Sequence, residues 1–175
     1  MMEAEEEKPE IDKEVYVGKV RYKMRKVLLS SLAIIFGGLI YIFWRSESLM
    51  MFSWFKELHI YSFVEYLRNV TQPCSNLFPR WFYYSLPNAL WFFSGILLFH
   101  AIWDNKKYLH QRIFWLTVFV SLVLGSEASQ FFAIIPGTFD IIDLLLIFLA
   151  WLMALAVINR DKNIIGGKEY ERKLA

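Results

Sequence analysis

Apolar positions in this chain come in long blocks, not in the alternating or three-and-four rhythm of an amphipathic element. Val27 to Trp44 is apolar for about 18 residues, and similar blocks run over 86–103, 113–132 and 139–158. Each is long enough to cross a bilayer core as a helix, which takes about 20 residues and as few as roughly 17. The pattern predicts an all-α integral membrane protein with four transmembrane helices. Pro87 falls in the first turn of the second block, where proline is tolerated. Trp81, Phe82, Tyr83 and Tyr84 precede it as an interfacial aromatic belt. Ala33 and Gly37, four residues apart in the first block, allow a neighbouring helix to approach closely.

A further aromatic-rich stretch, Leu49 to Leu67, is interrupted by Lys56, Glu57, His59 and Glu65. Placing that many polar groups in hydrocarbon is expensive. The stretch is expected to be an amphipathic interfacial helix between the first two spans, with Glu57, Tyr61, Glu65 and Arg68 along one side. Asn69 to Pro79 contains two prolines and reads as an irregular connection, making 45–85 one external segment.

Charge sets the orientation. Residues 1–26 form a charged tail, acidic up to Val17 and then basic at Lys19, Arg21, Lys23, Arg25 and Lys26. Lys106, Lys107 and Arg112 lie in a loop at 104–112, and Arg160, Lys162, Lys168, Arg172 and Lys173 in a tail at 159–175. The positive-inside rule places these three segments, and so both termini, in the cytoplasm, which an even number of spans permits. The basic residues are thereby explained as topology signals, with anionic-lipid binding at 19–26 a lesser reading and no nucleic-acid role. A hydrophobic share of 57% lies outside the soluble norm. The charged start, with no small-residue cleavage site after the first apolar block, predicts no secretory signal peptide. One cysteine, Cys74, excludes an intrachain disulfide.

The chemistry gathers where the third and fourth spans meet. Glu127 and Gln130 share a helix face at i, i+3, as do Asp140 and Asp143, and Pro136-Gly137 reads as a tight turn between them. Asn88 starts the second span, so five polar residues from three helices fall at the outer side. Glu127 lies about a turn or more inside an apolar helix, where a purely solvated role is expensive. Asp140 and Asp143 also suit the N-cap and N3 positions of the fourth span. His59, His100 and His110 are dispersed, so neither a zinc set nor a nucleophilic triad is expected.

The run Ser126-Glu127-Ala128-Ser129-Gln130, followed by Gly137-Thr138-Phe139-Asp140-Ile141-Ile142-Asp143, resembles the core signature of VanZ-like membrane proteins. In that family a Glu-x-x-Gln pair ends one span and a Phe-Asp-x-x-Asp element opens the next. Leu86-Pro87-Asn88 matches the family's polar position on the preceding span, and the resemblance covers about residues 80–158. The chain departs from the family where an arginine often precedes the Phe-Asp element and an asparagine follows the second aspartate. Gly137-Thr138 and the apolar run Leu144 to Leu149 stand there. The resemblance implies a place in a bacterial cytoplasmic membrane, contact with membrane lipids and with a lipid-linked or cell-wall precursor, and a link to glycopeptide (teicoplanin) resistance. It implies no particular reaction.

Three chemistries suit the acidic set. Glu127 can act as a general acid or base at an envelope lipid. Glu127, Asp140 and Asp143 can hold a hard divalent cation such as Mg²⁺ or Ca²⁺. The set can also form a non-catalytic pocket for a headgroup. The alternative is an accessory subunit whose acidic residues only cap and lock a helix hairpin.

Overall fold

The computed structural model describes the backbone of residues 3–135 and 139–174, with side-chain surroundings for 13, 15–135 and 139–160. The expected Pro136-Gly137 turn lies outside the described residues. No strand occurs among them; the helices are α1 (Glu3–Trp44), α2 (Met50–Glu57), α3 (Tyr61–Thr71), α4 (Arg80–Tyr84), α5 (Leu86–Ile102), α6 (Leu109–Phe131) and α7 (Ile141–Leu174). Three helical stretches are long and apolar enough to cross a membrane: Val15–Trp44, Lys106–Phe131 and Ile141–Arg160. The second expected span, 86–103, corresponds to α5, an apolar helix of 17 residues.

Both charged tails are helical. The charged segments before residue 27 and after residue 158 carry on the helices of α1 and α7. Elongating an existing helix adds one hydrogen bond per residue, whereas starting one is the costly step. The many Glu, Lys and Arg residues in these tails are good helix formers.

α5 occupies the centre. Its Ala89, Phe92, Ile96 and Leu97 pack with Ile147, Ala150, Ala154 and Ile158 of α7 into the buried core. On another side, α1 runs antiparallel to it. The order is visible in the contacts: Lys26 Nζ to Asp104 Oδ1 at 3.1 Å, Ser30 Oγ to the Ser94 carbonyl at 3.3 Å, and Tyr41 Oη to Asn88 Oδ1 at 3.5 Å. Gly37 allows this approach. A Cβ there would lie 2.7 Å from Trp91 Nε1, which donates to the Ile34 carbonyl at 3.4 Å. The expected small-residue contact surface on the first span is therefore in use.

α6 is held differently. It packs on α5 rather than along α7, chiefly through Phe119. That ring lies on Gly95, stacked with Phe92 at 5.6 Å and edge-on to Phe99 at 5.5 Å. One turn nearer the loop, Trp103 and Trp115 stack at 6.4 Å. The rest of α6 presents exposed apolar residues such as Ile113, Phe114 and Leu122.

The stretch 49–67, expected as one amphipathic helix, is split between α2 and α3. The break comes at His59, whose φ of 58° is left-handed. His59 N donates to the Lys56 carbonyl and Ile60 N to the Phe55 carbonyl, the paired bonds that close a Schellman helix end. The buried face of this segment is Phe52, Val64 and Arg68. Arg68, expected on the polar side, is instead enclosed. Its Nη1 donates to the Ile42 carbonyl at 2.6 Å, its guanidinium lies 4.8 Å above the Phe52 ring, and Nε stands 3.4 Å from Glu47 Oε1. Trp44 Nε1 donates to the Thr71 carbonyl at 3.1 Å. α3 thus closes the end of α1, where carbonyls have no partner inside their own helix. Glu47 also accepts a hydrogen bond from Tyr61 Oη at 2.9 Å, and this carboxylate holds the phenol above its ordinary pKa. The connection expected to be irregular contains a 3₁₀ helix, Gln72–Leu77, whose first turn includes Pro73.

Candidate functional site

Glu127 is the single buried residue of α6. A helix that exposes its leucines and phenylalanines while enclosing its glutamate reverses the usual distribution. The carboxylate is 5% exposed, and its Oε2 has no hydrogen-bond partner among the described residues. Neither nearby serine serves it. Ser126 Oγ donates to the Val123 carbonyl at 2.8 Å and Ser129 Oγ to the Gly125 carbonyl at 2.7 Å, both within α6.

Its acidic neighbour is Asp143 of α7, close enough for the two charges to interact. Asp143 Oδ1 is likewise buried and without a partner among the described residues. The hairpin ends explain how the two meet. α6 stops in a Schellman motif, with Ala133 N on the Gln130 carbonyl at 3.0 Å and Ile134 N on the Ser129 carbonyl at 2.8 Å. Ala133 takes the left-handed position, with φ of 55°. α7 starts at Asp140, whose Oδ1 accepts from Ile142 N at 2.9 Å while its carbonyl accepts from Asp143 N at 3.0 Å. Phe131 and Phe139 close the base edge-on at 5.2 Å.

The five expected site residues separate into one pair and three single residues. Glu127 and Asp143 come together. Asp140 is exposed and acts as the N-cap of α7. Gln130 is half-buried one turn beyond Glu127 and lends its carbonyl to the end of α6. Asn88 is tied to α1 through Tyr41, whose hydroxyl also accepts from Arg45 at 3.4 Å. Among the described residues no three His, Cys, Asp or Glu side chains are grouped to hold a metal ion.

The geometry adds residues that sequence reasoning did not single out. An apolar cavity of about 270 Å³ lies between α5, α6 and α7, lined by Phe92, Val120, Leu124, Leu144, Ile147, Phe148 and Trp151. Leu124 lies three residues before Glu127 and Ile147 four after Asp143, so each shares a helix face with an acid. That spacing was the available signal. Scanning protein-family models, curated proteins and solved structures produces no match to this chain, so the candidate site stands on its own geometry.

Proposed function

We propose that this chain is a four-span protein of the bacterial cytoplasmic membrane whose Glu127–Asp143 pair binds or modifies a lipid-linked or wall-associated envelope component. Glu127 carries the proposal. A carboxylate enclosed in a membrane-length helix with an unpartnered oxygen is costly, and a ligand or a proton is what offsets that cost.

In this reading α5 also crosses the membrane, as the second of four spans. Its 17 residues extend roughly 25 Å at helical rise, near the lower limit for crossing. α2 and α3 then lie at the outer interface, and both termini are cytoplasmic. Supporting that arrangement, the Lys26–Asp104 ion pair joins the basic segment before the first span to the loop between α5 and α6, as the positive-inside rule requires. Membership of the VanZ-like group is part of the proposal and rests on residues 126–143 with Asn88. The alternative of a structural hairpin lock is favoured by Asp140, a plain helix cap. It accounts for Asp140 but leaves the enclosure of Glu127 without a reason.

The test is complementation of a deletion strain by wild type, Glu127→Gln or Asp143→Asn at equal membrane abundance. Teicoplanin susceptibility and envelope lipid and precursor composition are scored. Rescue by wild type alone is expected. Full rescue by both variants would overturn the proposal and leave the acids as helix-end residues.

A further inference from the structure

On α6 and α7 the two acids stand within about one helical turn of residues that line the apolar cavity. Leu124 is one turn along α6 from Glu127, and Leu144 and Ile147 are within about one turn of Asp143 on α7. Trp151, eight residues beyond Asp143, lies roughly 12 Å further along the helix. The site therefore has a charged end and a hydrocarbon-like shaft. Leu124, Phe148 and Trp151 are all substantially exposed, so the shaft opens on the bundle surface between α6 and α7. At about 270 Å³ it is close to the lower end of ligand pockets, which run from roughly 300 Å³. Its apolar lining offers water no hydrogen-bond partner. In a bilayer the material at hand to fill it is an alkyl chain.

The charged end restricts the headgroup. Between Arg112 and Arg160 the sequence contains no Lys, Arg or His, so the ends of α6 and α7 that meet at the hairpin supply acids and no base. The nearest ends of α1 and α5 carry Arg45, but its guanidinium is placed over the Tyr41 and Tyr84 rings at 4.8 and 4.6 Å. A phosphate or carboxylate head would meet two acceptor oxygens, Glu127 Oε2 and Asp143 Oδ1, and no donor to pair with them. An ammonium head would meet two acceptors with free lone pairs, Glu127 Oε2 and Asp143 Oδ1.

We infer that the Glu127–Asp143 pair and the adjoining cavity form one site for a cationic amphiphile, an amine headgroup at the acids and an alkyl chain between α6 and α7. The inference rests on the reading of the acidic pair as the working site and names its ligand class. Two recognition elements, a charge pair and a dry shaft, together select against free amines and against uncharged or anionic lipids.

The experiment uses the full chain in phosphatidylcholine nanodiscs with a diazirine-bearing hexadecylamine as photoprobe, and maps labelled residues by mass spectrometry. Competitors are hexadecylamine, hexadecanol, hexadecyl phosphate and methylamine. Labelling is expected on α6 and α7 around Leu124 and Ile147. Hexadecylamine should compete on the order of tenfold or more better than the alcohol or the phosphate, the worth of a charge-assisted hydrogen bond. Glu127→Gln, nearly isosteric, should remove that preference, and Leu124→Trp, which fills the shaft from its exposed side, should suppress labelling with helix content unchanged. Equal competition by alcohol, phosphate or methylamine, or unaltered behaviour of both variants, overturns the inference. If the amine preference is missing while Glu127→Gln still fails to complement, the acidic site stands and only the ligand class falls. Full complementation by both acid variants removes the site itself.

Discussion

Gly95→Ala adds one methyl group where the structure has no room for it. A Cβ on Gly95 falls against Cζ and Cε1 of Phe119, with Cε2 at 3.2 Å. The ring cannot simply slide away, because Phe92 and Phe99 flank it at 5.6 and 5.5 Å. Forcing a methyl into a filled contact costs about 1–3 kcal/mol. Replacing a helical glycine by alanine returns up to ~1 kcal/mol of propensity, so the net loss should lie between about 0 and 2 kcal/mol. Gly38→Ala is the matched control: nothing lies within 4 Å of the added Cβ, and only the propensity gain applies. Unfolding by titration from mild detergent into sodium dodecyl sulfate, followed by circular dichroism, should separate the two variants by the overpacking cost alone, about 1–3 kcal/mol, because the propensity gain is common to both. Phe119→Leu should rescue Gly95→Ala in a double-mutant cycle, because the two changes share one contact. Since Phe119 also fixes α6 against α5, Gly95→Ala should impair complementation beyond its effect on abundance. A Gly95→Ala protein as stable as Gly38→Ala would refute the account of how α6 is attached.

Arg68→Met keeps the apolar stem but loses the 2.6 Å hydrogen bond to the Ile42 carbonyl and the contact over Phe52. A charged donor is worth about 1.5–3 kcal/mol and the ring contact about 0.5–1 kcal/mol, so limited proteolysis should cut 45–85 markedly faster; an unchanged digestion pattern would contradict the closure of α1 by α3. Ala133→Gly relieves a left-handed alanine that costs about 1–2 kcal/mol, and the same detergent titration should show stabilisation of about 1 kcal/mol. A destabilised variant would mean that the end of α6 is held by something other than the Schellman bonds.

The membrane blocks were legible because their signal is a sum over many residues. Val27–Trp44, Ile113–Phe131 and Ile141–Ile158 announce themselves through length and hydropathy alone. The capping role of Asp140 was equally readable, since an N-cap is fixed by residues two or three positions away. Arg68 was not. Its partners, Ile42 and Phe52, are distant in sequence, and one of them is a backbone carbonyl that leaves no trace in residue identity. The break at His59 was hidden for a related reason: a non-glycine residue in the left-handed position carries no local mark, and its helix-like neighbours suggest continuity. At the candidate site, the sequence grouped five polar residues by depth. Depth does not specify azimuth, and rotation about the helix axes is what leaves Glu127 with Asp143 while turning Asn88 toward Tyr41.

The closure of α1 by Arg68 and Trp44 also bears on the order in which the chain can assemble. The groups that complete the end of α1 lie 26 and 27 residues from their partners, before α5 begins. A nascent chain emerging from its ribosome would therefore finish the α1–α3 cap while α6 and α7 were still unmade. α5 would then enter beside a partner whose Ile42 carbonyl was already satisfied, and the acidic hairpin would be the last part to find its place.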